Sequence, residues 1–248
     1  MPALPVDPSH LEQHNSLQRS YFSSTPKPRM TPQRTPYVDR QVDAMIRFAR
    51  LQPGQRILDV GCGMGRYTLP LAERGLQVEG LDLTPALLEE LKRQNKTGTQ
   101  IPLHCGDLLE LAEPLTGKFD ALVGFFTLHH LHNLDLCYGA MAQMLKPGGV
   151  IAFLEPNAYC PFYYLQVAFA SHMRWEGEKG IAQMRRGPIF RAMSAAGLVD
   201  LKLERFGFAP PAVANRRWGR AVERGLEALP FLSPIRAFQL FGGREPLR

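Results

Sequence analysis

The 248-residue sequence predicts an α/β fold, a doubly wound and mostly parallel sheet with helices on both faces. Three observations carry that expectation. Short apolar runs read as strands buried on both faces: RILDV at 56–60, QVEGL at 77–81, IPLHC at 101–105, FDALVG at 119–124 and VIAFL at 150–154. Stretches with helical spacing alternate with them. The first two runs are joined through Gly61, Gly63 and Gly65, and the second closes on the carboxylate of Asp82.

Residues 1–36 are rich in proline and polar groups and carry little periodicity. Two readings stand for them: a loose arm, or a lid in which Tyr21-Phe22, with Tyr37 just beyond, closes over a ligand. A helix is predicted from Tyr37 to Leu51, with Val38, Val42, Met45, Ile46 and Ala49 near helical spacing, ended by Pro53-Gly54. Arg66 to Arg74 follows the glycine turn as a helix, Pro70 limiting its first turn and Gly75 stopping it. Thr84-Pro85 reads as a cap and first turn for Ala86 to Asn95. Leu134 to Leu145 is the next helix, closed by Lys146-Pro147-Gly148-Gly149 before the 150–154 strand. Gly187 to Ala196 reads as the last packing helix and Leu198 to Phe206 as a sixth strand.

The glycine turn discriminates between ligands. Dinucleotide sites prefer G-x-G-x-x-G, which brings a pyrophosphate to a helix N-terminus. Here Asp59 stands two residues before the first glycine, in D-x-G-C-G-x-G. That carboxylate would repel a pyrophosphate and suits a cationic amino-acid ligand. Asp82 suits a ribose diol, since one carboxylate accepts both hydroxyl protons.

Asp59-Val60-Gly61-Cys62-Gly63-Met64-Gly65 resembles the first motif of the class I, Rossmann-like S-adenosylmethionine-dependent methyltransferases, small-molecule type. Gly106-Asp107-Leu108 after the third strand and the LKPGG turn at 145–149 extend the resemblance over residues 38 to 157. It implies a seven-stranded sheet whose final antiparallel strand fits Arg236 to Phe241, and S-adenosyl-L-methionine as cofactor. By the same resemblance Gly61, Gly63 and Gly65, with Asp59, would hold the amino-acid portion and Asp82, with Leu83, the ribose. Asp107 and the Leu108 amide would read the adenine, and the Phe125 carbonyl would take the methionine ammonium. A plain turn aspartate is the other reading of Asp107.

Within a methyltransferase domain of residues 37–248, two insertions, 158–186 and 207–234, leave from the carboxyl ends of strands and are expected to cap the acceptor side. The first is aromatic (Tyr159, Phe162, Tyr163, Tyr164, Phe169, Trp175) and reads as the lid of a flat or apolar pocket, or as a surface touching a membrane or a second copy. The second holds a helix, 212–229, whose Arg216, Arg217, Arg220 and Arg224 form a basic stripe, by default a solvated face and otherwise a nucleic-acid surface. Against nucleic acid, the fourth-strand loop is FFTLHH where base N-methylating enzymes carry Asn/Asp-Pro-Pro-aromatic, and Cys160-Pro161 reverses the Pro-Cys of pyrimidine carbon methylation.

His129, His130 and His132 are candidates for a general base, with Glu155 as the alternative or as an acceptor-orienting group; structural packing is the bland reading for each. No metal is expected, because magnesium prefers oxygen ligands and no aspartate cluster surrounds these histidines. The expected reaction is methylation of a small aromatic or apolar metabolite, in natural product biosynthesis, at oxygen before nitrogen or carbon. Quinone-type C-methylation is the nearest alternative; an RNA methyltransferase or a non-catalytic binding module is further off. No apolar run reaches the ~18 residues that span a bilayer, and the start lacks a signal-peptide pattern. Cys62, Cys105, Cys137 and Cys160 lack CxxC spacing, so reduced thiols and a cytoplasmic protein are expected. The formal charge of +6 hints at an acidic partner; a homo-oligomer is left open.

Overall fold

The computed structural model describes residues 8–23, 30–161, 164 and 179–247. Seven strands form one sheet in the order β3-β2-β1-β4-β5-β7-β6. They are β1 (Arg56–Val60), β2 (Gln77–Asp82), β3 (Leu103–Cys105), β4 (Phe119–Phe125), β5 (Leu145–Pro156), β6 (Val199–Phe206) and β7 (Phe238–Arg244). The first five run parallel; β7 is antiparallel to both neighbours. The final strand sits two to three residues later than the sequence suggested. Phe238 to Arg244 pairs its whole length with β5, so its two glycines lie inside a strand.

Period-two alternation divides the sheet's side chains between two cores. Leu58, Val60, Leu122, Ile151 and Phe153 point to one face, where helices α5 (Leu108–Leu111), α6 (Leu134–Met144) and α7 (Arg186–Ala195) cover them. Ile57, Ala121, Val123, Ala152 and Leu154 point to the other, under α2 (Pro36–Ala49), α3 (Thr68–Glu73) and α4 (Pro85–Gln94). Strands apolar on both faces are what a buried parallel sheet requires. Leu145 already pairs with Phe119; the ladder then shifts register before Ala121 meets Val150, so the KPGG turn is absorbed into β5 as an irregularity.

Other differences are local. Helix α3 starts two residues later than expected, because the chain through Arg66 and Tyr67 completes the glycine loop. Thr84 sits at the N-cap of α4, but its hydroxyl makes no cap bond; its amide donates to Asp82 Oδ1 instead. The single helix expected over 212–229 is broken at Asn215-Arg216 into α8 (Pro211–Ala214) and α9 (Arg217–Glu227). Residues 8–23 form a helix, α1 (Pro8–Ser23), which the weak periodicity did not foretell. Most of the aromatic insertion, including Phe162, Tyr163, Phe169 and Trp175, lies outside the described residues. Of its described parts, Ile181 and Met184 are buried in the first core. The four cysteines are unpaired, and Cys105 is exposed where a core position was expected. Among the described residues no helix is long and apolar enough to cross a membrane.

Candidate active site

Strand order reverses between β1 and β4, so the loops after these strands diverge and leave a crevice at the carboxyl edge. Glycine holds one wall. Gly61 has φ +72°, and a Cβ there would lie 2.3 Å from the Thr127 side chain, which approaches from the β4 loop. Gly63 has φ +52° and donates its amide to Asp82 Oδ2 at 2.9 Å. With Thr84 on the other oxygen at 2.9 Å, two backbone amides fix the Asp82 carboxylate at the cavity wall. Burial raises its pKa above the ordinary carboxylate value, against the pull of those amides.

The crevice is a cavity of about 1120 Å³. Gly61, Gly63, Asp82, Leu83, Asp107, Leu108, Phe125 and His129 with His130 all line it. Three candidates do not. Asp59 lies beneath the loop, 2% exposed, and accepts the Thr68 hydroxyl at 2.6 Å. Burial lifts its carboxyl from 3.8 to about 7, with the Thr68 bond opposing and the charge of Asp82 adding to the rise. Gly65 (φ +87°) gives packing room to Leu91 and Leu69. Glu155 is fully buried behind the histidines.

That buried glutamate organises the β4 loop. Its Oε1 accepts the Leu128 amide at 2.7 Å, and its Oε2 lies 2.5 Å from His129 Nδ1. With Nδ1–H donating to the carboxylate, the basic nitrogen of His129 is Nε2, and the ring is fixed at the cavity wall. His130 lies tilted against His129, ring centroids 4.0 Å apart, and meets the edge of Phe22 from α1 at 5.3 Å. His132 also lines the cavity, its carbonyl accepting the Cys137 thiol at 3.2 Å; burial pushes that thiol up to about 12.

Several lining residues escaped the sequence reading. Tyr67 stacks on Phe125 at 4.2 Å, its hydroxyl donating to Gln41 of α2 at 2.7 Å. Phe126, at φ +57°, turns toward Phe238, whose ring also meets Tyr37 and Phe206. Positive φ on a bulky residue stores strain, held here by the Phe126 amide bond to Leu154. Asn15, 4% exposed, donates from α1 to Asp107 Oδ2 at 2.8 Å, while Asp107 Oδ1 caps α5 through the Leu109 amide. Asp107 thus caps a turn, as one of its two readings expects, and also lines the cavity. Of the second insertion, Phe208 to Ala212 lines the cavity. The arginine stripe loses one member: Arg220 turns inward onto the Ala214 and Asn215 carbonyls, while Arg216, Arg217 and Arg224 stay exposed.

Residues 57–149 match the family model described as a methyltransferase domain. The chain carries a methyltransferase domain on a Rossmann-like fold and is an S-adenosylmethionine-dependent methyltransferase. It is 28% identical over 214 residues to a ubiquinone biosynthesis O-methyltransferase of Idiomarina loihiensis, covering 83% of this chain and 85% of that one. A relative of the same name from Chelativorans sp. is 28% identical over 233 residues, 87% and 89% of the two chains. Among solved structures, a methyltransferase from Mesorhizobium loti superposes with TM-score 0.58 at 21% identity, over 84% of this chain and all of that one. A Haemonchus contortus phosphoethanolamine N-methyltransferase, bound to S-adenosylhomocysteine, superposes with TM-score 0.57 at 18% identity over 84% of this chain; the chain spans about half (52%) of its length. The cofactor is S-adenosylmethionine, and the glycine loop fits it: a backbone cradle beside a buried carboxylate, with Gly61 and Gly63 in φ regions that favour glycine.

Proposed function

We propose that this methyltransferase methylates a hydroxyl of a small, apolar or aromatic acceptor, with His129 as the general base and Glu155 as its positioning residue. The observation that carries the reading is the His129–Glu155 pair, 2.5 Å apart, at the wall of an aromatic cavity. A phenol or alcohol needs its proton removed as its oxygen attacks, whereas an amine can attack through its own lone pair. The relatives' name, O-methylation in ubiquinone biosynthesis, supports a phenol- or quinol-type acceptor.

S-adenosylmethionine, when bound, supplies an electrophilic methyl group on a sulfonium that is its own leaving group. Asp82 would hold the ribose hydroxyls, Asp107 and the Leu108 amide the adenine, and Gly61 and Gly63 the amino-acid end, with the Phe125 carbonyl taking its ammonium. Asp59, one layer below, supports the loop through Thr68. His129 Nε2 takes the acceptor proton, and Glu155 stabilises the imidazolium that results. Tyr67, Phe126 and Phe238 exclude water and orient a flat acceptor for in-line attack.

The test uses methyl-labelled S-adenosylmethionine, purified protein and a whole cell extract. Label in the organic phase as an O–CH₃ group is the expected result. Label on carbon, or in an RNase-sensitive precipitate, would overturn the reading.

A further inference from the structure

Helix α9 is built inside out. Its acids face the protein: Glu223, 2% exposed, pairs with Arg40 of α2 and accepts the Phe208 and Ala209 amides at 2.7 and 3.0 Å. Glu227 accepts from Arg40 at 2.5 Å and from the Gly207 amide at 2.6 Å. The exposed side carries Trp218, Val222 and Leu226 at i, i+4 and i+8, with exposures of 62%, 55% and 36%. Leu229 and Phe231, 39% and 74% exposed, extend this surface past the helix end. A surface helix ordinarily turns its apolar stripe to the core and its charges to water. Here the acids turn inward and the apolar stripe faces water. Arg217 and Arg224, seven positions apart and exposed, flank the apolar stripe on one edge.

We propose that this face is an interfacial membrane anchor, seated on a bilayer surface that carries anionic phospholipid headgroups. An apolar stripe with tryptophan, edged by arginine and free of outward acids, is the pattern of a helix lying in the headgroup plane. At ~1.5 Å per residue α9 is far too short to cross a ~30 Å hydrocarbon core, so it lies on the surface. Charge argues against a second copy as the occupant. Two-fold antiparallel pairing of the same face would set each arginine edge against its counterpart. The net charge of +6 complements an anionic leaflet. Location gives the anchor a use: α9 is joined through α8 to the cavity-lining segment Phe208 to Ala212. An apolar acceptor dissolved in the bilayer would thus enter the cavity beside the attached face.

The test is co-sedimentation of the full chain with vesicles of phosphatidylcholine alone and of phosphatidylcholine mixed with phosphatidylglycerol. It reads no activity, so it stands or falls apart from the acceptor assignment. Binding is expected to the mixed vesicles and much less to the neutral ones. Trp218→Ser with Leu226→Ser should weaken it at least about tenfold, and Arg217→Gln and Arg224→Gln about fivefold each. These side chains are exposed, so thermal unfolding should not move. In a Trp175→Phe background, lipids brominated on their acyl chains should quench the Trp218 fluorescence. Absence of binding to either vesicle would overturn the proposal, as would unchanged binding by the serine variant. So would a concentration-dependent dimer that the serine variant abolishes.

Discussion

The two halves of the cavity are made by different means. On the β1–β2–β3 side, the site is backbone: positive-φ glycines, and the Gly63 and Thr84 amides that lock Asp82. On the β4–β5–β7 side it is side chains drawn from afar. Tyr37, Tyr67, Phe126 and Phe238 come from four segments, and the buried His129–Glu155 pair joins β4's loop to β5. A backbone cradle tolerates only glycine and therefore keeps a fixed pattern. A side-chain wall can be rebuilt from many residue types, which would suit a half that meets a variable acceptor, as proposed.

Perturbing each half should produce separable losses. His129→Ala is expected to lower kcat about 10²–10⁴-fold with cofactor affinity unchanged, measured in single turnover and by calorimetry. Asp59→Asn tests the layer beneath the cradle. Between pH ~4 and ~7 the unfolded Asp59 is ionised while the folded one keeps its proton, so its contribution makes stability fall as pH rises through that window. The asparagine variant should flatten this slope, gaining at most about 4 kcal/mol over the parent by pH 8 relative to pH 4 in denaturant titrations. Asp82→Asn keeps the shape but loses the charge, and should raise the cofactor Kd about 10–100-fold with the acceptor KM unmoved. Phe238→Leu breaks ring contacts on the β4–β5–β7 side. It should raise the acceptor KM about fivefold and leave cofactor binding alone. A variant from one half that damages the other half's constant would break the division.

What the sequence disclosed follows the same line. Strands β1 to β5 and the glycine loop were legible because a buried parallel sheet needs apolar runs and a tight turn needs glycine at fixed spacing. Asp82, Asp107 and the histidines were legible from their places at strand ends, and they line the cavity. Asp59 was legible as a motif residue, but its depth was not: only the fold shows that it meets Thr68 and not the cavity. Glu155 was read as an alternative base or acceptor-orienting group; the structure places it off the cavity, fully buried against His129. Asn15, Tyr67 and Phe238 carried no local signal, since their roles depend on helix and sheet packing across long separations. The inward acids of α9 were hidden for a related reason. Helical spacing shows which residues share a face, but not which face meets the protein.

The most direct test of the central claim is the effect of His129→Gln on acceptors of graded hydroxyl acidity, at saturating cofactor. A general base matters most when the hydroxyl is hard to ionise. The account predicts a rate deficit of about 10² or more for a weakly acidic hydroxyl, shrinking steadily as the hydroxyl becomes more acidic. A deficit of the same size across the whole series would contradict it, and would leave His129 as a packing residue of the β4 loop.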